Sequence, residues 1–144
     1  MPTLELYDHQ SALELDLERL RHAGSQAVPL VLEHPGPHSA LLPDLEEIEI
    51  SFITDAVISA AHGRFMDDPA PTDVITFQHG EILISTDTAI RQAAVHANDP
   101  QRECALYLIH GLLHLHGHDD HAPDEFTVMQ QLQESILAKV WPAQ

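Results

Sequence analysis

Residues 99–121 read DPQRECALYLIHGLLHLHGHDDH, and this stretch decides the fold. It begins with Asp99-Pro100, and proline is favoured at the first position of a helix because its missing N–H has no partner there anyway. Apolar residues then fill most positions up to Leu115, and Gly117 is the residue type that typically ends a helix. The pattern predicts a helix from Asp99 to about His116, followed by a turn that lets the chain fold back.

Two histidines of this helix, His110 and His114, are four residues apart. At that spacing two side chains share one helix face, about 5–6 Å apart at Cβ, so both imidazoles can reach one ion at about 2.0–2.1 Å. After the glycine turn, either Asp120 or His121 can bring a third ligand to the same ion. Three protein ligands leave one position open for water, which is the layout of a hydrolytic zinc site. Asp119 is expected to orient a ligand histidine or to cap the turn.

A histidine pair at this spacing, taken alone, is equally well explained as a chance surface pair. The glycine and the Asp-His cluster at the right distance favour the metal interpretation. His116 lies off the His110–His114 face and is expected at the surface. Gly111 occupies the position where zincin-type metallopeptidases carry their glutamate general base, which weakens a peptidase interpretation.

The composition limits the class of protein. A chain of 144 residues is about the size of one domain, so we expect residues 1–144 to form a single hydrolase domain. Six basic residues against 23 acidic ones give a net charge of −17, which argues against a broad basic surface for nucleic acid but leaves room for a local basic cleft. The single Cys104 excludes an internal disulfide. No apolar run approaches the roughly 20 residues of a membrane span, and no basic leader precedes the first apolar stretch; we therefore expect a cytoplasmic protein.

Periodicity and turn residues predict the other elements. Strands are expected at residues 3–7, 47–52, 73–77 and 81–85. Further helices are expected at residues 12–22 with Ser11 as N-cap, 54–65, 86–97 with Thr86 or Asp87 as cap, and 123–141. This order predicts an α+β fold in which helices cover a small mixed sheet of about four strands and one zincin-like helix carries the metal ligands.

At these residues the sequence resembles the YbeY family, the metal-dependent endoribonucleases of bacterial rRNA maturation. The family's mark, His-Gly-x-Leu-His-Leu-x-Gly-Tyr-Asp-His, is matched at His110, Gly111, Leu113, His114, Leu115, Gly117 and Asp119. The family's Pro-Thr-Asp-Val-Leu-Ser-Phe segment resembles residues 71–77, and its Gly-Asp-Ile strand resembles residues 80–82. The likeness covers roughly residues 46–136.

The resemblance implies a zinc-dependent endoribonuclease with one zinc ion per chain. Its substrate would be single-stranded RNA, in small-subunit ribosomal RNA processing and ribosome quality control, and ribosomal proteins or ribosome-assembly factors would be further partners. Two other hypotheses stand beside it: a zincin-like metallopeptidase, and a non-catalytic metal-binding protein of ribosome assembly.

The sequence departs from the family's pattern at three places. His118 replaces the tyrosine of the motif. Counted without a gap, Asp120 falls where the family has its third metal histidine, and His121 comes one residue late. The family often carries an arginine, thought to contact RNA phosphate, five residues before Pro-Thr-Asp, but Met66 holds that position here. Arg64, two residues earlier, is our candidate for this catalytic role.

Overall fold

The computed structural model describes residues 1–66 and 73–142. Along the chain lie β1 (Thr3–Asp8), α1 (Leu17–Leu32), a 3-10 turn (Leu42–Asp44), β2 (Glu47–Ile53), α2 (Asp55–Met66), β3 (Val74–Phe77), β4 (Glu81–Ser85), α3 (Thr86–His96), α4 (Pro100–Leu115) and α5 (Pro123–Val140). This order confirms the expected α+β fold. Within the described ranges, no helix combines the length and apolarity that crossing a membrane requires.

The strands of the described residues form one mixed sheet in the order β1-β2-β4-β3. β1 pairs with β2 and β2 with β4 in parallel, whereas β3 pairs with β4 antiparallel. Parallel neighbours need crossover connections; α1 joins β1 to β2, and α2 with β3 lies between β2 and β4. The four-stranded mixed sheet is the one that the sequence predicts.

Alternation along the strands sends side chains to two different cores. On one face of the sheet, α1, α4 and α5 cover the main core, which includes Leu4, Leu6, Ile48, Ile50, Phe52, Ile82 and Ile84. On the other face, Ile58 of α2 packs against Ile53 and Ile75. The main core therefore lies under α4, the helix predicted to carry the metal ligands.

The prediction for the first helix is wrong at both ends. α1 spans Leu17–Leu32 instead of residues 12–22. Its N-cap is Asp16, whose carboxylate accepts a hydrogen bond from the Arg19 N–H at 3.1 Å, and not Ser11. Before the helix, the side chain of Gln10 bonds both the N–H and the carbonyl of Leu13, which gives this segment an alternative to helix.

Two residues that usually interrupt helices lie inside α1. Gly24 and Pro29 are the least favourable helix formers, yet the helix continues past both of them. A Cβ at Gly24 would lie 2.6 Å from a methyl carbon of Leu4, so a larger residue here would displace that leucine side chain of β1. Packing on the main core thus outweighs local propensity.

The structure confirms the predicted start of α4 but not the predicted cap of α3. Asp99 caps α4 as expected. The cap of α3 is Ser85, whose hydroxyl accepts from the Thr88 N–H at 3.1 Å, and not Thr86 or Asp87. The prediction is wrong by one residue, because Ser85 is both the last residue of β4 and the N-cap of α3.

α4 packs against β4 through a glycine. Gly111 faces the sheet, and a Cβ at this position would lie 2.8 Å from Cδ1 of Ile82. His110 and His114 lie roughly 60–100° around the helix axis from Gly111, so this contact helps to fix their position relative to the sheet.

The segment of residues 34–41 folds against the end of α4. Backbone hydrogen bonds of 2.8–3.0 Å run from the N–H groups of Gly36, His38 and Leu41 to the carbonyls of His116, Gly117 and Leu115, respectively. This segment covers His116, which is 3% exposed and has its Nε2 3.3 Å from the carbonyl oxygen of Leu32. The expectation of a surface His116 is therefore wrong.

Candidate metal centre

The last two turns of α4 carry His110 and His114 on one face, as their spacing predicts. Their side chains are 18% and 25% exposed, and their rings meet edge to face with centroids 4.6 Å apart. The leucines between and after them, Leu112, Leu113 and Leu115, are buried. The two imidazoles thus stand at the rim of the main core, accessible from one side.

Asp120 joins the two histidines, and we call these three residues the metal trio. The Nε2 atoms of His110 and His114 are 3.0 Å apart. Asp120 places Oδ2 3.5 Å from Nε2 of His110 and Oδ1 3.9 Å from Nε2 of His114. Two nitrogens on one tetrahedral zinc ion at about 2.0–2.1 Å would be roughly 3.3 Å apart. The trio therefore has the dimensions of a site for one ion.

Hydrogen bonds behind the rings select the tautomer that can bind a metal. Nδ1 of His114 lies 3.0 Å from the carbonyl oxygen of His118, which can only accept, so Nδ1 carries the proton. Nδ1 of His110 lies 2.9 Å from Oε1 of Gln133, whose amide nitrogen in turn donates to Gln130. Both Nε2 atoms consequently present lone pairs to each other, an arrangement that a cation between them would stabilise.

The electrostatics around His114 favour its neutral ring. Burial lowers the pKa of His114 below its ordinary value, and the neighbouring His110 lowers it further. Asp120 acts in the opposite direction but does not outweigh them. A neutral imidazole is the form that binds metals, so His114 is ready for an ion at neutral pH.

His121 is not part of the metal trio, although its Nδ1 lies 3.8 Å from Oδ1 of Asp120. Its side chain is 85% exposed, and its Nδ1 is paired with Oδ1 of Asp119. The same oxygen of Asp119 accepts the N–H of Asp120 at 2.7 Å, so Asp119 stabilises the turn that presents Asp120. The hydrogen bond to Asp119 raises the pKa of His121, which favours the protonated, non-ligating form.

The chemistry of the trio fits a divalent transition metal. Two imidazole nitrogens and one carboxylate are the donor set of many catalytic zinc sites, which keep a further position open. The same set also occurs at non-haem iron sites. The residues therefore fit the expected zinc ion without restricting the site to zinc.

Two clefts meet at the metal trio. The larger, of about 910 Å³, runs between α3, α4 and α5 and includes Arg91 and Arg102 in its walls. The smaller, of about 550 Å³, is bounded by the turn after α4 and by His38. Both are lined by Asp73, the last residue of the Pro-Thr-Asp segment, so this part of the motif borders the site.

Arg64 does not stand out as part of this site. It is an exposed residue in the last turn of α2, and neither cleft counts it among its described lining residues. The role proposed for it stays a prediction. Pro71 and Thr72, and the side chain of Met66, lie outside the described residues.

Sequence reasoning missed Gln133. It is 5% exposed and orients His110 from a different helix, 23 residues along the chain. A signal was present, because Gln133 is a polar residue on the buried stripe of α5 that also contains Met129, Ile136, Leu137 and Val140. A buried polar side chain requires a partner, but its identity depends on how α5 packs on α4.

Residues 5–141 match the sequence model of the family described as endoribonuclease YbeY. The chain is similar to an endoribonuclease YbeY from Protochlamydia amoebophila, with 37% identity over 61% of this chain and 66% of the relative. It is also similar to the endoribonuclease YbeY from Cutibacterium acnes, with 35% identity over 64% of this chain and 70% of the relative. The relative from Thermobifida fusca is 29% identical over 90% of this chain and 89% of its own.

The fold also resembles a solved structure. The solution structure of TM1509 from Thermotoga maritima superposes with a TM-score of 0.65, covering 96% of this chain and 89% of that chain, at 20% identity. At this identity the likeness bears on the fold alone, and it agrees with the α+β architecture described above.

Proposed function

Because this chain belongs to the endoribonuclease YbeY family, we propose that it is a zinc-dependent endoribonuclease that cleaves single-stranded RNA during small-subunit ribosomal RNA processing and ribosome quality control. The observation that carries this proposal is the convergence of the His110, His114 and Asp120 side chains where two clefts meet. A hydrolase needs both features, since the ion must be accessible to water and to the substrate.

In this proposal His110, His114 and Asp120 hold one zinc ion. When bound, the ion supplies a Lewis acid that polarises a phosphoryl oxygen and makes a bound water more acidic. Gln133 and the carbonyl of His118 keep both rings in the ligating tautomer by accepting their Nδ1 protons.

The choice of Asp120 over His121 as third ligand is supported by position and exposure. Asp120 is one-third exposed and faces both histidines, whereas His121 is held outward by Asp119. Arg64 remains our candidate for steadying an RNA phosphate, because it lies two residues from the position of the family's arginine, which Met66 holds here.

We further propose that residues 1–144 act as one hydrolase domain, that the protein works in the cytoplasm, and that ribosomal RNA is its substrate. Ribosomal proteins or assembly factors would bring so acidic a chain to RNA. A net charge of −17 opposes approach to a polyanion at long range, so a basic docking partner is a reasonable means of recruitment.

A metallopeptidase is the second candidate, and one contact disfavours it. The glutamate of zincin peptidases would stand at Gly111, where even a Cβ would meet Ile82 at 2.8 Å. A third candidate, a metal-binding assembly protein without catalysis, retains the trio and predicts no cleavage.

One experiment separates the three candidates. Zinc-loaded protein is incubated with a labelled single-stranded RNA and with casein, beside a His114→Ala control. We expect RNA cleavage that the control lacks and intact casein. Casein cleavage would support the peptidase, and tight zinc binding with both substrates intact would leave only the assembly protein.

A second experiment tests the ligands. Zinc content after dialysis is measured in Asp120→Ala and in His121→Ala. We expect Asp120→Ala to lose zinc and His121→Ala to retain it. The opposite pattern would make His121 the ligand, and retention in both would contradict the proposed third ligand altogether; metal analysis of the purified protein also shows whether iron replaces zinc.

A further inference from the structure

An exposed aromatic ring lines the larger cleft, which also contains His110 and Asp120 of the metal trio. Phe126, in the first turn of α5, is 46% exposed and lines this cleft together with Arg102, His110 and Asp120. A single exposed apolar residue on a convex surface needs no explanation. This ring instead lies in a concave, mostly polar groove that leads to the proposed site of chemistry.

We propose that Phe126 is a stacking platform for a base of the bound single-stranded RNA, and that Arg102 contacts a phosphate of the same strand. The inference rests on the proposed function. Every nucleobase has a flat apolar face, so an exposed aromatic ring binds single strands with little sequence preference. Bases in a duplex are already stacked, so the platform also selects single-stranded over double-stranded RNA.

Arg102 is placed for a phosphate next to the scissile one in the strand. It precedes His110 by eight residues on α4, which is about 12 Å along the helix axis, so it does not reach a phosphate at the metal trio. Its guanidinium is paired with Glu134 at 3.6 Å, with side chains 32% and 53% exposed. Ion pairs of this exposure are weak, so Arg102 can exchange Glu134 for a phosphate.

The charges in the cleft explain why stacking is needed. Arg91 also lines the cleft, but its charge is matched by Asp55 at 2.6 Å. Acids line the cleft as well: Asp73, Glu103, Asp120 and Glu134. A groove without excess positive charge cannot hold RNA by its field alone, so a sequence-tolerant apolar contact and a single phosphate contact would add affinity beyond that of the proposed metal.

The first test measures the affinity for a fluorescent single-stranded 2′-O-methyl oligonucleotide, checked by gel to be intact after the measurement. Phe126→Ala is expected to raise Kd roughly tenfold. The matched control is Val128→Ala, since Val128 is 47% exposed on the same helix and is not among the described residues lining the cleft. Equal affinities of the two variants would overturn the inference, as would a wild-type protein that does not bind the oligonucleotide.

The second test distinguishes stacking from a general structural effect. One base at a time is replaced by an abasic site in the same oligonucleotide. If Phe126 stacks on a base, one abasic position weakens binding to the wild type but not to Phe126→Ala, because both changes remove the same contact. A uniform loss of affinity across all positions in Phe126→Ala would contradict stacking.

The third test concerns Arg102. Affinity for RNA falls as the salt concentration rises. In Arg102→Gln the plot of log affinity against log salt concentration should be less steep by about 0.7, the value for one phosphate contact in a single strand. Arg21→Gln, an exposed residue of α1, has the same charge change and should keep the wild-type slope. An unchanged slope in Arg102→Gln would remove the phosphate contact from the inference.

The outcomes also separate this inference from the proposed function. Wild-type protein that cleaves RNA, with Phe126→Ala binding and cleaving equally well, would refute the stacking platform alone. Protein that binds the oligonucleotide through Phe126 and cleaves no RNA would refute the nuclease and leave a single-strand binding cleft.

Discussion

Gln133 holds the ring of His110 from the neighbouring helix. It accepts the Nδ1 proton over 2.9 Å and is itself 5% exposed. A histidine that loses such an acceptor can rotate or place its proton on Nε2, and then it no longer offers a lone pair to an ion. The affinity of the metal trio for zinc therefore depends on a residue that does not touch the ion.

Gln133→Leu should lower zinc affinity by about 10- to 100-fold, the range for loss of such supporting hydrogen bonds. Leucine fills a similar volume, so the fold should persist. Competition with a chromophoric chelator measures the change, and Gln131→Leu, an exposed residue of the same helix, serves as control. Wild-type zinc affinity in Gln133→Leu would show that His110 is oriented by other contacts.

At the scale of elements, Asp55 ties the start of α2 to β4 and α3. Its Oδ1 accepts hydrogen bonds from Ser85 at 2.7 Å and Thr88 at 3.0 Å, and its Oδ2 accepts one from Arg91 at 2.6 Å. Burial raises the pKa of Asp55, but the hydrogen bonds from Arg91, Ser85 and Thr88 together lower it more, so the pKa lies below its ordinary value. The charged carboxylate is thus part of what joins these elements.

Asp55→Asn should lower the free energy of unfolding at pH 7 by about 1–2 kcal/mol, because a charged acceptor is lost. The folded-state pKa lies below the unfolded value of about 3.9, so the folded protein binds fewer protons. The stabilisation that the Asp55 carboxylate gives is therefore fully present above about pH 4. It disappears as the pH falls through the folded-state pKa of Asp55.

Urea unfolding at pH 7 and at successively lower pH measures this difference. The stability gap between wild type and Asp55→Asn should narrow on acidification below about pH 4, whereas Asp44→Asn, at an exposed aspartate of the 3-10 turn, should show little gap at either pH. A gap that stays constant down to acid pH would show that the charge of Asp55 contributes nothing.

At the scale of the whole molecule, the site depends on contact between distant parts of the chain. Residues 34–41 hydrogen-bond to the end of α4, and Gly36 packs so closely on the turn that an added Cβ would overlap the carbonyl group of Gly117 and the nitrogen of His118. Gly117 itself has φ of +92°, a conformation that favours glycine. This turn leads directly into Asp119 and Asp120.

Gly36→Ala should displace the turn and with it Asp120. Because backbone atoms have to move, we expect a stability loss of about 1–3 kcal/mol together with weaker zinc binding. Thermal unfolding with and without zinc measures both effects, since an ion bound only by the folded state raises Tm. Ser39→Ala, exposed in the same segment, is the control; a Gly36→Ala protein with normal Tm and normal zinc response would contradict this coupling.

Features set by residues close in the chain could be predicted from the sequence. The helix over His110 and His114, its cap at Asp99 and the alternating strands depend on periodicity and on hydrogen bonds between near neighbours. The shared face of the two histidines follows from helix geometry alone. The order of elements was therefore predictable, and with it the α+β fold and two corners of the candidate site.

Tertiary contacts decided the rest. α1 continues through Gly24 and Pro29 because burial against the core outweighs their poor helix propensity. Asp120 and His121 are adjacent and both able to bind zinc, so only the folded turn separates the one that faces the histidines from the one that faces solvent. Gln133 lies 23 residues from His110, and its role depends on how two helices pack. Local sequence patterns describe neighbours along the chain, whereas these contacts exist only once the chain has folded.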